Sequence, residues 1–108
     1  MSVCHCLACQ QRTGSVFGVV ARFPAALVST RGESREYVRA GDEGSRATFH
    51  FCPVCGATVY YVSDAVDGAV MVPVGAFADP QFPGPTISVY EQRKHAWVTM
   101  PPDITHVA

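Results

Sequence analysis

The chain has 108 residues, 48% of them apolar, so one globular domain over residues 1–108 is expected. Eight Lys and Arg residues against nine Asp and Glu give a formal net charge of −1 without a basic stripe, which argues against nucleic acid as a partner. No apolar run is long enough to span a bilayer and no secretory signal is recognisable, so we expect no membrane partner and a cytoplasmic, reducing environment.

Three cysteines lie close to the start of the chain, as Cys4, Cys6 and Cys9. Thiolates are soft ligands that suit zinc, and three ligands leave a tetrahedral ion with an open fourth position, as in catalytic zinc sites. Alternatively, some of these cysteines join the downstream ones in a single closed structural site, and the spacing fits both arrangements. His5 is expected to point away from the ion. A short helical turn over 10–12 should end at the glycine and serine at 14–15.

The rest of the chain predicts short strands separated by turns rich in glycine and proline. The strands are predicted at 16–23, 28–30, 35–39, 46–51, 57–63, 69–77 and 86–90. One helical turn is predicted at 25–27 and an irregular stretch at 79–85. Turns are predicted at 31–33, 40–45 and 64–68. The clearest segment is 46–51, where apolar and polar residues alternate with the period of a half-buried strand. We expect core positions at Phe49, Phe51, Tyr60 and Tyr61, a Trp97 side chain packed on the sheet, and an untethered C-terminal end.

The second cysteine motif is the pair Cys52 and Cys55, placed between two predicted strands. Pro53 fixes one backbone angle and Gly56 can take a positive φ, so the pair should form a tight knuckle with both sulfurs facing one ion. A redox pair of this spacing would instead be expected at the start of a helix. The odd count of five cysteines also fits poorly with a complete set of disulfides.

Three segments together resemble the glutathione-dependent formaldehyde-activating enzyme family, to which centromere protein V belongs. They are Cys4-His5-Cys6-Leu7-Ala8-Cys9-Gln10-Gln11-Arg12-Thr13-Gly14-Ser15, then Phe51-Cys52-Pro53-Val54-Cys55-Gly56, then Val74-Gly75-Ala76-Phe77 with Asp79-Pro80. The resemblance in motif order extends to about Trp97. It implies a mainly β fold of the β-tent type, related to zinc ribbons, with short antiparallel strands and zinc-binding knuckles.

The resemblance also implies an activity and two metal sites. A catalytic zinc would be held by Cys4, Cys6 and Cys9, and Cys52 and Cys55 would join an earlier C-x-C pair at a structural zinc. The implied reaction is the addition of glutathione to formaldehyde to give S-(hydroxymethyl)glutathione, formally a carbon–sulfur lyase reaction. Its partners are therefore a small-molecule thiol and an aldehyde.

The sequence departs from the family pattern at its beginning. Family members normally begin with a glycine-rich strand that carries the earlier C-x-C, whereas this chain starts at Met1-Ser2-Val3. Two structural ligands and an edge strand are thus expected to be missing, and unpaired backbone groups at that edge favour a homodimer as a hypothesis. The alternative function is a non-catalytic, zinc-stabilised binding module with a single closed four-cysteine site.

Overall fold

The computed structural model describes residues 1–41 and 44–108, and it is mainly β, as predicted. Within these residues eight strands form one sheet, in the order β3-β4-β5-β6-β2-β1-β7-β8. The strands are β1 Ser2–Cys4, β2 Gly18–Pro24, β3 Arg35–Ala40, β4 Arg46–Phe51, β5 Thr58–Ser63, β6 Val66–Pro73, β7 Ile87–Val89 and β8 Thr105–His106. The helical elements are α1 Leu7–Thr13 and the 3₁₀ turns Ala25–Leu27, Val74–Phe77 and Glu91–Arg93.

The chain divides into two compact units, which are described separately. The first unit comprises Met1–Val20 and Asp79–Ala108, and the second unit comprises Ala21–Ala78. The first unit contains the Cys4, Cys6 and Cys9 motif, hereafter the triplet. The second unit contains Cys52 and Cys55, hereafter the knuckle.

The first unit is built around the three-residue strand β1. It pairs antiparallel with β2 and parallel with β7, and β7 in turn pairs parallel with β8. The core of this unit contains Val3 and Val98 together with two buried polar residues, His5 and Ser88. The prediction of an untethered C-terminal end was wrong, because β8 is hydrogen-bonded to β7.

The second unit contains the antiparallel ladder β3-β4-β5-β6. Phe49 lies at its centre, buried, with the Tyr61 ring at 4.8 Å and the Arg39 guanidinium 4.9 Å from its ring centroid. Of the four aromatic residues expected in the core only Phe49 is buried, and Tyr60 lies on the opposite face from Tyr61 because consecutive strand residues alternate.

Several predicted elements were placed correctly, including the 25–27 turn, and others need correction. Residues 28–30 form no strand, and β6 ends at Pro73, after which a 3₁₀ turn begins. The predicted turn at 64–68 is shorter, since β6 already starts at Val66. Trp97 does not pack on the sheet, because 73% of its surface is exposed. The predicted turn at 40–45 includes residues 42–43, which lie outside the described residues.

Candidate metal centre

The cysteines of the triplet lie at the junction between β1 and α1. Cys4 is the last residue of β1 and lies opposite Gly18 in β2 and Val89 in β7. Cys6 is the N-cap of α1, and its Sγ accepts the backbone N–H of Cys9 at 3.4 Å. Cys9 lies in the first turn of α1, so the strand-to-helix corner brings the three thiols together.

The three Sγ atoms lie within 4.8 Å of one another, and each cysteine is partly exposed. Two thiolates bound to one tetrahedral zinc at about 2.3 Å are separated by roughly 3.8 Å, so small side-chain adjustments suffice to hold an ion. No other group of three or more candidate ligands forms among residues 1–41 and 44–108. The donor set fits a thiophilic cation such as zinc.

The thiols of the triplet affect one another electrostatically. The hydrogen bond with the Cys9 thiol, aided by burial, raises the pKa of Cys4 far above its ordinary value. The Cys4 thiol therefore stays protonated unless a cation compensates the charge of its thiolate. This behaviour is typical of a ligand cluster whose deprotonation is coupled to metal binding.

His5 anchors the triplet from the inside of the first unit. It points away from the thiols, as expected, and is completely buried with its Nε2 2.9 Å from Ser88 Oγ on β7. Its backbone N–H donates to Val89 O, and its ring meets the Phe17 ring edge-on. Burial lowers the pKa of His5, so the imidazole is neutral. Within the described residues its Nδ1 has no hydrogen-bond partner.

Gln10 fixes the helix that carries Cys9. Its side-chain Nε2 donates to the carbonyls of His5 and Arg93 at 2.9 and 3.1 Å, and its Oε1 lies 2.9 Å from His95 Nε2. A seven-residue helix has little stability of its own, so these contacts supply what local hydrogen bonding cannot. No local pattern indicates this role, because the partners Arg93 and His95 lie more than 80 residues away along the chain.

Glycines shape the same helix. Gly14 ends α1 with φ +70°, a left-handed conformation that glycine adopts without strain. Gly18 leaves room beneath the helix, since a Cβ there would lie 3.3 Å from Arg12 Nη2 and 3.5 Å from Cys9 Cβ.

The knuckle of the second unit is a locally closed turn, as predicted. The Cys52 N–H donates to Ala57 O and the Gly56 N–H to Cys52 O, at 2.9 and 2.8 Å. The Val54 N–H points at Cys52 Sγ at 3.4 Å. The N–H of Cys55, the strongest contributor, and that of Val54 lower the pKa of the Cys52 thiol. Gly56 has φ +79°, as the turn requires.

A cavity of about 450 Å³ adjoins the knuckle. It is lined by the loop 29–34 and by Cys52, Val59 and Tyr60. Close to it, His50 stacks on Tyr60 at 4.2 Å and its Nδ1 lies 3.1 Å from Ser34 Oγ. The His50 ring is therefore occupied by its contacts with Tyr60 and Ser34.

Fold and site together define a small β protein with a three-thiol centre suited to a metal. Residues 1–93 match the family described as glutathione-dependent formaldehyde-activating enzyme. The chain belongs to this family, as the motif resemblance indicated. The family acts on glutathione and formaldehyde and binds zinc.

No curated protein matches the chain. Among the described residues, no helix has the length and apolar character needed to cross a membrane.

Proposed function

We propose that this chain is a zinc-dependent carbon–sulfur lyase that combines glutathione and formaldehyde into S-(hydroxymethyl)glutathione. Cys4, Cys6 and Cys9 are the proposed ligands of the catalytic zinc. The observation that carries the proposal is the convergence of their three Sγ atoms within 4.8 Å, in a member of a family that acts on these substrates. Cys52 and Cys55 are proposed as ligands of a second, structural zinc.

When bound, zinc would supply a Lewis-acidic position that favours the thiolate form of a substrate thiol near neutral pH. The chain itself contributes three ligands and a rigid frame. The buried His5–Ser88 contact holds the loop between Cys4 and Cys6, and Gln10 holds the helix of Cys9. In the net reaction the thiol sulfur bonds to the aldehyde carbon, and the thiol proton ends on the former carbonyl oxygen.

Access for a large thiol is compatible with the position of the triplet. The three cysteines are only partly buried, and Leu7, next to Cys6, is exposed. A thiol substrate can therefore approach from solvent, while the interior side of the loop is filled by His5. A ligand loop that is rigid on one side and accessible on the other suits substrate exchange at the fourth position.

The direct test follows adduct formation by exchange NMR with purified zinc-loaded protein, glutathione and formaldehyde. The expected result is acceleration over the spontaneous reaction in the native chain and in C52S/C55S, and none in C4S/C6S/C9S. A native chain that does not accelerate adduct formation rejects the activity. A single inert zinc per chain that needs cysteines of both motifs would instead favour the binding module.

The proposal extends to compartment and assembly. All five cysteines are free thiols, which suits the reducing cytoplasm. A homodimer is part of the proposal, because the edge left by a missing strand would present unpaired backbone groups to a second copy. Light scattering that gives a monomer under all metal conditions would reject any homodimer.

A further inference from the structure

Gln10 holds the two peptide groups that connect the ligands of the triplet. Its backbone N–H donates to Cys6 O at 3.0 Å, and its side-chain Nε2 donates to His5 O at 2.9 Å. The His5 carbonyl lies between Cys4 and Cys6, and the Cys6 carbonyl lies at the start of the helix that carries Cys9. One residue therefore connects the backbone of all three ligands.

The contacts of Gln10 require one orientation of its side-chain amide. Nε2 lies against two carbonyl oxygens, those of His5 and Arg93, and can only donate to them. A flipped amide would place Oε1 against the same two acceptors. Oε1 therefore accepts a hydrogen bond, and its partner is His95 Nε2 at 2.9 Å, which carries the hydrogen. His95 thus favours the amide orientation in which the ligand loop is held.

His95 is itself fixed to the first unit. Its carbonyl accepts the N–H of the buried Val98 at 3.0 Å, and its ring meets the Trp97 ring edge-on at 6.3 Å. The family match ends at residue 93, so His95 lies beyond the matched segment. The contact with Gln10 therefore connects the C-terminal part of this unit to the metal ligands near its start.

We propose that Gln10 and His95 are positioning residues of the metal centre, with His95 acting through the Gln10 amide. The pair holds the triplet in the arrangement that binds the ion, and neither side chain is a ligand. This inference rests on the proposed metal site at Cys4, Cys6 and Cys9 but not on the proposed reaction. Residues that orient metal ligands typically contribute about 10- to 100-fold to metal affinity.

The experiment uses cobalt(II) in place of zinc as a spectroscopic probe of the triplet. Every variant is made in the full-length C52S/C55S chain, in which the triplet is the remaining cysteine motif. Thiolate-to-cobalt charge-transfer and visible bands report the bound sulfurs and their geometry, and competition with a chelator gives the zinc affinity. We expect Gln10→Leu to weaken zinc binding by about 100-fold and His95→Phe by about 10-fold, each with altered cobalt bands. The effect of His95→Phe is smaller because Gln10 still donates to both carbonyls.

A conservative variant separates positioning from packing. His95→Gln keeps an N–H donor at the same number of bonds from Cα as the histidine Nε2, whereas His95→Phe keeps only a ring. His95→Gln should therefore restore the zinc affinity and the cobalt spectrum. His106→Phe is the matched control, because it removes a histidine hydrogen bond in the same unit whose partner is Glu91. It should lower the free energy of unfolding and leave zinc affinity and cobalt spectrum unchanged.

A double variant tests whether His95 acts through Gln10. In the Q10L background, His95→Phe should weaken zinc binding no further, since the contact between the two side chains is already lost. Independent contributions would instead multiply the two losses of affinity.

Four results would overturn the inference. One is an unchanged zinc affinity and cobalt spectrum in His95→Phe, and another is the failure of His95→Gln to restore them. The third is equal weakening in His95→Phe and His106→Phe, which would reflect loss of stability alone. The fourth is a full multiplication of the losses in the double variant.

The same samples separate this inference from the proposed reaction. If the triplet binds no cobalt when Gln10 and His95 are both present, the metal site is rejected and the inference with it. If cobalt and zinc bind as expected but adduct formation is not accelerated, only the reaction is rejected.

Discussion

The triplet and the knuckle present the same chemical group on two differently supported turns. At the knuckle, the hydrogen bonds that shape the turn all lie within residues 52–57. At the triplet, Cys4 is flanked by strands on both sides, and the helix of Cys9 is pinned to residues more than 80 positions away. The knuckle is therefore held by local hydrogen bonds, whereas the triplet depends on contacts with distant parts of the first unit.

This difference in structural support agrees with the function proposed for each site. A catalytic site must hold its ligands in a fixed arrangement while a substrate exchanges, which requires rigid neighbours. A structural site needs only a turn that presents its sulfurs, because binding of the ion completes the order. Removing distant supports should therefore affect the triplet and spare the knuckle.

The largest effect is expected from loss of a triplet ligand. Cys9→Ser should lower adduct formation by at least about 100-fold, since even residues that only orient metal ligands contribute 10- to 100-fold. Zinc analysis should show the loss of the triplet ion, with unchanged metal at the knuckle. Near-native activity in this variant would reject the assignment of Cys9 as a ligand.

Removal of the buried anchor should have the next largest effect. His5→Ala leaves a cavity and removes the buried contact with Ser88, and should lower the free energy of unfolding by about 3 kcal/mol in urea titrations. The matched control is His50→Ala in the second unit. His50 also contacts a serine, but that contact is exposed and 15% of the His50 side chain is accessible, so its loss should cost less, about 1 to 2 kcal/mol with the Tyr60 stacking included. Equal costs would show that burial of His5 has no special role.

The contrast between the sites also explains what could be predicted from the sequence. The knuckle and the strand before it depend on local patterns, namely the alternation over 46–51 and the Pro53 and Gly56 positions, and both were predicted correctly. The three triplet thiols were recognised by spacing. The assignment of all five cysteines as metal ligands stays a prediction.

The supports of the triplet were not predictable in this way. Strand β1 has three residues and β8 has two, too short for any periodic signal, and each depends on pairing with β7. The Gln10 contacts likewise join distant residues. The prediction for Trp97 was wrong because it relied on the usual burial of large apolar side chains. In the structure the Trp97 side chain lies beside His95 and is exposed to solvent.

A smaller effect is expected at the end of helix α1. Gly14→Ala forces a Cβ into the left-handed conformation and should cost about 1 kcal/mol. The helix of Cys9 should fray more often, so a chelator should remove zinc from the triplet faster. Gly75→Ala is the control, because Gly75 has no positive φ and its Cβ would meet no atom within 4 Å. Equal zinc release in both variants would contradict a role for this helix end.

The smallest effect concerns the pH dependence of the C-terminal strand. His106 Nδ1 lies 2.8 Å from Glu91 Oε2, and this contact raises the pKa of His106 above its ordinary 6.5 and, with help from Ser88, lowers that of Glu91 below 4.5. The stabilisation from His106 is complete below pH 6.5 and is lost as pH rises through its folded pKa. The stabilisation from Glu91 is complete above pH 4.5 and is lost as pH falls through its folded pKa.

Both contributions are therefore complete only between about pH 4.5 and 6.5. The difference in unfolding free energy between the native chain and His106→Gln should be greatest near the middle of this window and should shrink toward pH 3 and pH 9. Glu91→Gln should give the same profile, and the double variant should add little, because each single change already breaks the pair. A difference that is constant across pH would mean that β8 is held by its backbone hydrogen bonds to β7 alone.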